Sequence, residues 1–173
     1  GSPLQKLQYA AIGVGGRGAA DINSMSGHKK VQMVAAADVD SGVCKKLAAK
    51  NAGVKTFSDW REMFQAMDKG IDIVSVSTPD HMHGIMAMSA MNLGKHVYVQ
   101  KPLAQTVGEC RAMREAAHQN KVIAQMGTQG ASSFNDRTAV DWVQRKLIGK
   151  VTEAWVFCGK SWGDLKPLPD HQD

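Results

Sequence analysis

The amino-acid sequence predicts an α/β protein built on a doubly wound parallel sheet. Short apolar runs with strand composition alternate with longer segments that carry apolar residues at helical spacing. A glycine-rich turn follows the first apolar run, and polar residues follow several of the others. With 173 residues, of which 43% are hydrophobic, the chain is long enough for one domain with a buried core.

The first predicted strand, residues 9–12, leads into a G-x-G-x-x-G turn at residues 13–18. The first glycine lets the chain leave the strand sharply, the second lets backbone N–H groups approach a diphosphate, and the third lets the next helix pack closely on the sheet. The helix N-terminus adds unpaired N–H donors and a partial positive charge. We expect this turn to bind the phosphates of a dinucleotide through Gly13, Gly15, Gly16, Arg17 and Gly18.

A carboxylate follows the second predicted strand, residues 31–37. Asp38 lies about twenty positions after the turn, where dinucleotide-binding units place the acid that accepts hydrogen bonds from the adenosine ribose. Alternatively, Asp38 caps the next helix, a role that Asp40 or Ser41 could fill equally well. Because strand, turn, helix, strand and acid occur in this order, ribose binding is the favoured interpretation.

The charge of Asp38 also bears on the choice of cofactor. A carboxylate repels the 2′-phosphate of NADP, and no arginine follows Asp38 closely. Lys45 and Lys46 lie nearby in the sequence and weaken the preference. We therefore expect NAD as the cofactor, with NADP less favoured.

The next segments continue the alternation. Residues 41–51 have helical spacing, and Gly53 follows as a helix stop. Residues 54–57 predict a short third strand, after which Ser58 or Asp59 caps another helix. The apolar residues of that helix are predicted to be core: Trp60, Met63, Phe64 and Met67.

From residue 71 onward the predicted elements are strand 71–77, helix 82–93, strand 96–99, helix 106–120, strand 122–126 and helix 136–148. Pro79 stops the first of these strands, and Gly94 closes the helix after it. Thr106 and Glu109 have the spacing of a capping box. We expect the methionines of helix 82–93 to pack in the core: Met82, Met86, Met88 and Met91.

The end of the chain breaks the pattern. Residues 151–157 have strand composition, but the following residues contain Pro167 and Pro169 and no further periodic element. We interpret residues 1–150 as a nucleotide-binding domain, and residues 151–173 as the first strand and loop of a second, C-terminal α+β domain that the sequence does not include. The unpaired strand is expected to be disordered or to pair with a partner chain.

Composition argues against several classes of protein. The net charge of +5 is spread along the chain, which favours a solvated basic surface over a nucleic-acid site, and no apolar run is long enough to span a membrane. Cys44, Cys110 and Cys158 are too far apart to predict a disulfide framework or a zinc site. His81 and His83 point in different directions on a helix, so we expect no metal. The compartment stays open: cytoplasmic, or periplasmic if an export signal preceded residue 1.

Polar residues that follow predicted strands are expected to meet at one rim of the sheet. Asp38, Thr78-Pro79, Gln100-Lys101-Pro102 and the loop from Gly127 to Gln129 each come after a strand. In an open parallel sheet, ligands bind outside the carboxyl ends of the strands, where the strand order reverses. The sequence therefore predicts a single binding site at this rim.

The same motifs give the chain a family resemblance. The turn at residues 13–18, Thr78-Pro79 with His83 soon after, and Lys101-Pro102 together resemble the glucose-fructose oxidoreductase / inositol dehydrogenase (Gfo/Idh/MocA) family, over about residues 7–157. The resemblance implies the N-terminal, Rossmann-type NAD(P)-binding domain of an oxidoreductase. It also implies a second domain that supplies further acid and base groups, often an aspartate and a histidine.

The resemblance also assigns residues. The lysine of the family's Glu-Lys-Pro motif lies beside the nicotinamide and the substrate hydroxyl, which corresponds to Lys101, and His83 is implied to pack by the nicotinamide half. Gln100 replaces the glutamate, as in a branch of bacterial, often exported, sugar-linked members. The full predicted cofactor site is Gly13, Gly15, Gly16, Arg17, Gly18, Asp38, Thr78, Pro79, His83, Gln100, Lys101 and Gln129.

The predicted function is hydride transfer between NAD and a carbohydrate or polyol hydroxyl, with Lys101 as the catalytic residue that stabilises alkoxide character on the substrate oxygen. Without family context, Lys101 would be an exposed loop lysine. We expect the chain to bind NAD(H) without useful turnover and the intact protein to be a homo-oligomer. The alternatives are an S-adenosylmethionine-dependent methyltransferase domain and a non-catalytic dinucleotide sensor.

Overall fold

The computed structural model describes residues 6–157, which contain a six-stranded parallel sheet of order β3-β2-β1-β4-β5-β6. Every neighbouring pair of strands is parallel. The strands are β1 (Leu7–Ile12), β2 (Val31–Ala37), β3 (Lys55–Phe57), β4 (Ile73–Val76), β5 (His96–Gln100) and β6 (Ala124–Gly127). The order reverses between β1 and β4, so the carboxyl ends of these two strands flank the expected ligand crevice.

Six α-helices connect and follow the strands within the described residues. They are α1 (Gly16–Ser26), α2 (Ser41–Lys50), α3 (Trp60–Met67), α4 (His83–Asn92), α5 (Val107–Gln119) and α6 (Phe134–Gln144). No helix within residues 6–157 has both the length and the apolarity needed to cross a bilayer.

Side-chain caps fix the starts of three helices where the sequence predicted them. The Asp40 carboxylate accepts from the first-turn N–H groups of α2, and Asp59 does the same for α3. The hydrogen bond from the Arg61 backbone N–H lowers the pKa of the Asp59 carboxyl. Thr106 and Glu109 form the predicted capping box of α5. Because Asp40 caps α2, Asp38 is left for another role.

The central strands of the sheet are covered on both faces, as the doubly wound topology requires. Along β1, Tyr9 and Ala11 face one cluster of buried residues, and Ala10 and Ile12 face another; none of the four is more than 2% exposed. The first cluster includes residues of α1 and α2, and the second includes residues of α3, α4 and α5. The prediction of a doubly wound α/β sheet is confirmed.

The residues predicted as core lie in or against this second cluster. Met63, Phe64, Met86 and Met91 are buried. The others are partly buried and pack against the same cluster: Trp60, Met67, Met82 and Met88.

Several element boundaries differ from the prediction by one to four residues, and hydrogen bonds account for the starts of β6 and α6. β6 begins at Ala124 because the N–H of Val122 donates to the Ala117 carbonyl and completes the end of α5. α6 begins at Phe134 because the Ser133 side chain accepts from a first-turn N–H group, and it ends at Gln144.

The predicted strand at residues 151–157 is absent from the structure. These residues have no regular secondary structure, and the side chains of Val156 and Phe157 are 92% and 84% exposed. Strand composition alone forms no strand without a hydrogen-bonded neighbour. Residues 158–173, with Cys158, lie outside the described residues.

The chain separates into two compact units, one ending at Gln129 and one beginning at Gly130. The first unit holds the whole sheet and α1 to α5, and the second holds α6. The predicted domain division after residue 150 stays a prediction.

Candidate functional site

A cavity of about 600 Å³ opens at the carboxyl ends of the strands, beside the point where their order reverses. Five residues of the predicted cofactor site line it: Gly13, Gly15, Asp38, Thr78 and Pro79. Val39, Ser58, Trp60, His81 and Met82 also line it. This volume lies within the range of small-molecule and cofactor pockets.

The glycine turn is packed so tightly that side chains would not fit at two positions. A Cβ at Gly13, where φ is +81°, would lie 2.6 Å from the carbonyl oxygen of Ser77. A Cβ at Gly18 would collide with the Gly13 carbonyl oxygen and lie 2.8 Å from its carbon. At Gly15 the nearest atom would be 3.8 Å away, so this glycine leaves open space over the cavity. The close packing at Gly13 and Gly18 fits the roles predicted for the first and third glycines, and the space at Gly15 leaves room for the predicted diphosphate.

The turn presents free hydrogen-bond donors. Among the described residues, the backbone N–H groups of Gly15, Gly16 and Arg17 have no hydrogen-bond partner, and they precede or begin α1. Unpaired N–H groups at a helix N-terminus, together with the helix dipole, form a binding site for phosphate. The backbone N–H groups of the turn are therefore suited to bind a diphosphate without the help of a lysine side chain.

The Asp38 carboxylate is held at the edge of the cavity by two backbone hydrogen bonds. Its Oδ2 accepts from the N–H of Val14 at 2.8 Å, and its Oδ1 accepts from the N–H of Asp40 at 2.9 Å. Each carboxylate oxygen has two lone pairs, so both can accept another hydrogen bond. A fixed carboxylate of this kind can bind the two adjacent hydroxyls of a ribose.

His83 is buried beneath the loops that follow β4 and β5. It is 1% exposed and does not line the cavity. Its Nδ1 lies 2.6 Å from the carbonyl oxygen of Pro102, and its Nε2 lies 2.8 Å from that of Thr78. The imidazole thus packs between the loop after β4 and the loop after β5. Contact between His83 and the nicotinamide stays a prediction.

A buried polar network lies under the rim. Asp21 of α1 is 4% exposed, and its carboxylate accepts hydrogen bonds from Arg17, Ser77 and Gln100. These donors come from the glycine turn, from the end of β4 and from the end of β5. Arg17 and Gln100 belong to the predicted cofactor site, but here both point to Asp21 and neither lines the cavity.

The network continues to Gln129 at the end of β6. With its amide oxygen facing donors, Gln129 accepts from Arg17 Nη2 at 3.0 Å and from the Tyr98 hydroxyl at 2.9 Å. The same oxygen also accepts from Gln100 Nε2. Gln129, another predicted site residue, is therefore joined to the glycine turn through side chains.

A neighbouring pair of hydroxyls adds no charge to this network. Tyr9 and Ser75 share a 2.6 Å hydrogen bond in the core. Burial raises the pKa of the Tyr9 hydroxyl, the Ser75 hydrogen bond lowers it in part, and the negative charge of Asp21 raises it further. A raised pKa keeps the Tyr9 hydroxyl protonated, and therefore uncharged, at neutral pH.

Lys101 lies at the rim but outside the cavity wall. It is exposed, it directly follows β5, and its backbone N–H donates to Gln100 Oε1 at 3.3 Å. The peptide bond between Lys101 and Pro102 is cis. Contact between the lysine side chain and a ligand in the crevice stays a prediction.

Sequence reasoning missed Asp21, Ser77 and the cavity-lining role of Trp60. One signal for Asp21 was present: an acidic residue precedes the apolar Ile22 on the sheet-facing side of α1, where a charge requires buried donors. Trp60, predicted to be a core residue, packs against the core and also lines the cavity. Within residues 6–157, no group of three or more His, Cys, Asp or Glu side chains is arranged to hold a metal ion.

The fold and the site define a dinucleotide-binding domain. The family model described as the oxidoreductase family with NAD-binding Rossmann fold, GFO_IDH_MocA, matches residues 7–128. The chain therefore belongs to the Gfo/Idh/MocA oxidoreductase family. The predicted family, the Rossmann-type domain and NAD as the cofactor are confirmed.

Similar proteins include dehydrogenases and a glycosidase. Inositol 2-dehydrogenase of Salmonella typhimurium is 29% identical over 96% of this chain and 48% of its own length. A glycosyl hydrolase family 109 protein of Solibacter usitatus is 32% identical over 87% of this chain and 36% of its own. The crystal structure of myo-inositol 2-dehydrogenase from Lactobacillus plantarum matches with a TM-score of 0.78 and 26% identity, over 85% of this chain and 43% of that one. The chain thus spans about half the length of these relatives, or less.

Proposed function

We propose that the chain is the NAD(H)-binding part of a longer oxidoreductase that transfers hydride between nicotinamide and a carbohydrate or polyol hydroxyl. The observation that carries the proposal is the crevice at the strand-order reversal, where unpaired N–H groups of the glycine turn lie beside the fixed Asp38 carboxylate. Similar proteins are named for inositol and for levoglucosan, both of which carry secondary hydroxyls.

The residues present fit the parts of NAD. Gly15, Gly16 and Arg17 would hold the diphosphate through their N–H groups, and Asp38 would accept hydrogen bonds from the adenosine ribose. On the other side of the turn, Lys101 would lie toward the nicotinamide end. When bound, the cofactor supplies a hydride acceptor or donor.

In this proposal Lys101 is the catalytic residue that the chain itself contributes. Its ammonium group donates a hydrogen bond to the reacting oxygen of the substrate. Negative charge develops on that oxygen as the hydroxyl proton passes to a base, and it is lost as the hydride leaves the carbon and the C=O bond forms. The ammonium therefore stabilises the alkoxide character of the transition state more than the ground state. The remaining acid and base groups would come from a second domain, and we expect no useful turnover from residues 1–173 alone. Homo-oligomeric assembly is part of the same proposal.

A second candidate follows from the glycosidase relative. Glycoside hydrolysis that depends on NAD is a known exception to the usual two-carboxylate mechanism. Such an enzyme uses the same cofactor site with no net change in the oxidation state of NAD. The two candidates therefore differ in product: net NADH for a dehydrogenase, and free alcohol or phenol from a glycoside for a glycosidase.

Replacing Lys101 with alanine in the full-length protein tests the proposal. We expect NADH affinity to change by less than about threefold, and the rate of NADH formation from polyols and sugars, followed at 340 nm, to fall by about 10²- to 10³-fold, the usual effect of losing one charged stabilising donor. The control is Lys29→Ala, an exposed lysine just before β2 at the opposite end of the sheet, which should retain full activity.

Each other outcome has a distinct meaning. A Lys101→Ala enzyme as active as the control would refute the catalytic role of Lys101. Release of nitrophenol from nitrophenyl glycosides without net NADH would replace the dehydrogenase with the glycosidase. NAD binding with neither activity would favour a dinucleotide sensor.

A further inference from the structure

Asp21 receives hydrogen bonds from three separate parts of the site. Its Oδ1 accepts from Arg17 Nε at 3.1 Å and Nη2 at 2.9 Å, and its Oδ2 accepts from Ser77 Oγ at 2.8 Å and Gln100 Nε2 at 2.9 Å. Arg17 is in the first turn of α1, and the other two donors lie at or just after the carboxyl ends of β4 and β5. One carboxylate therefore connects the phosphate-binding turn with the two loops that follow the central strands.

The burial of Asp21 makes these connections strong. An ionised carboxylate with 4% of its surface exposed would be costly to bury without donors, and hydrogen bonds to a charged group are stronger than those between neutral groups. Four donors surround its two oxygens, so any shift of the turn or of the β5 end breaks a charged hydrogen bond. The carboxylate thereby fixes the relative placement of these elements.

The orientation of the Gln100 amide follows from this contact. Because Nε2 must face the Asp21 carboxylate, Oε1 faces the other way and accepts from the Lys101 backbone N–H at 3.3 Å. A glutamate at position 100 has no donor in its ionised form, and it would place a second negative charge against Asp21. The network therefore requires a hydrogen-bond donor at position 100 as long as position 21 is an aspartate.

We propose that Asp21 is a positioning residue of the cofactor site: its buried carboxylate aligns the diphosphate-binding turn with the β5 end that carries Lys101. Asp21 also places a negative charge beside position 100, where Gln100 replaces the charged glutamate of the family motif. The proposal rests on the proposed NAD(H) site, because it states which residue fixes the position of the glycine turn relative to Lys101. It predicts that residues 21 and 100 are energetically coupled.

Three variants test this: Asp21→Asn, Gln100→Glu and the double variant. Asn at position 21 leaves one acceptor oxygen for the four donor atoms. Glu at position 100 places a second carboxylate against that of Asp21, so the two negative charges repel each other. In the double variant the direction of the hydrogen bond is reversed, since the Asn amide donates to the Glu carboxylate, and the cluster keeps a single negative charge. The readouts are the melting temperature and the dissociation constants for NADH and for ADP-ribose, a matched ligand without the nicotinamide.

We expect each single variant to weaken NADH binding by about fivefold or more, a conservative value for a disrupted charged hydrogen bond. ADP-ribose binding should change by less than about twofold. Its adenosine and diphosphate contacts come from the glycine turn and Asp38, and none comes from the end of β5. The double variant should recover NADH affinity to within about threefold of the unmodified chain. A purely structural role would lower the melting temperature and weaken both ligands equally.

The proposal is overturned if folded Asp21→Asn binds NADH as tightly as the unmodified chain, if both ligands weaken together, or if the double variant is no better than the single ones. Should Asp21→Asn not fold, the double variant is still expected to fold, and failure of both overturns the proposal. An unmodified chain that binds no NADH would instead refute the proposed function, while the melting temperatures would still report whether positions 21 and 100 are coupled.

Discussion

Replacing Gly18 with alanine should weaken NADH binding by about a hundredfold or more, which corresponds to the loss of about two charge-assisted hydrogen bonds. The added Cβ would collide with the Gly13 carbonyl oxygen and lie 2.8 Å from the Gly13 carbon. Gly13 is itself fixed, because its N–H donates to the Ala37 carbonyl at 2.9 Å. The helix must therefore move away from the turn, and the phosphate-binding N–H groups move with it.

The same substitution should also destabilise the fold. Overpacking of this kind costs about 1–3 kcal/mol, and in a chain of this size each kcal/mol lowers the melting temperature by about 2–4 °C. The matched control is Gly108→Ala in the first turn of α5, where the nearest atom to a new Cβ is 3.8 Å away. Calorimetric titration should find full NADH affinity in the control. Equal affinity in the two variants would contradict the role given to the turn.

Replacing Asp38 with asparagine should reduce NADH affinity by about ten- to a hundredfold and bring the affinities for NADH and NADPH close together. Asparagine has one acceptor oxygen, which the backbone N–H of Val14 or Asp40 already needs, so fewer lone pairs remain for the ribose. Removing the negative charge also removes its repulsion of a 2′-phosphate. Dissociation constants for both cofactors, measured side by side, check the two effects.

The control for this variant lies two residues away. Asp40→Asn preserves the cap of α2, because asparagine caps helices about as well as aspartate, and Asp40 does not line the cavity. Its cofactor preference should be unchanged. The ribose assignment fails if Asp38→Asn keeps the preference for NADH over NADPH that the unmodified chain shows.

Much of the fold could be predicted because its signals are local. The caps at Asp40 and Asp59 and the capping box at Thr106 depend only on residues a few positions away, and the glycine turn is recognisable from its own spacing. The location of the site could also be predicted from the strand ends, because the carboxyl ends of parallel strands lie at the same edge of the sheet.

The buried network was not predictable in the same way. Asp21 and Gln100 are 79 positions apart, and the hydrogen bond between them depends on the final register of α1 against β5. The position of His83 has the same cause, because its ring meets the Pro102 carbonyl only after both loops are in place. At residues 151–157 the local signal for a strand was present, but a strand also needs a neighbour.

Titrating the chain with NADH, while following nicotinamide fluorescence, tests the central claim most directly: that the glycine turn and the Asp38 carboxylate together form an NAD(H) site. We predict saturable binding with one site per chain, displacement by NAD and by ADP-ribose, and weaker binding of NADPH. No saturable signal with either NADH or NADPH up to about 1 mM, where binding free energy falls to about −4 kcal/mol, would contradict the claim.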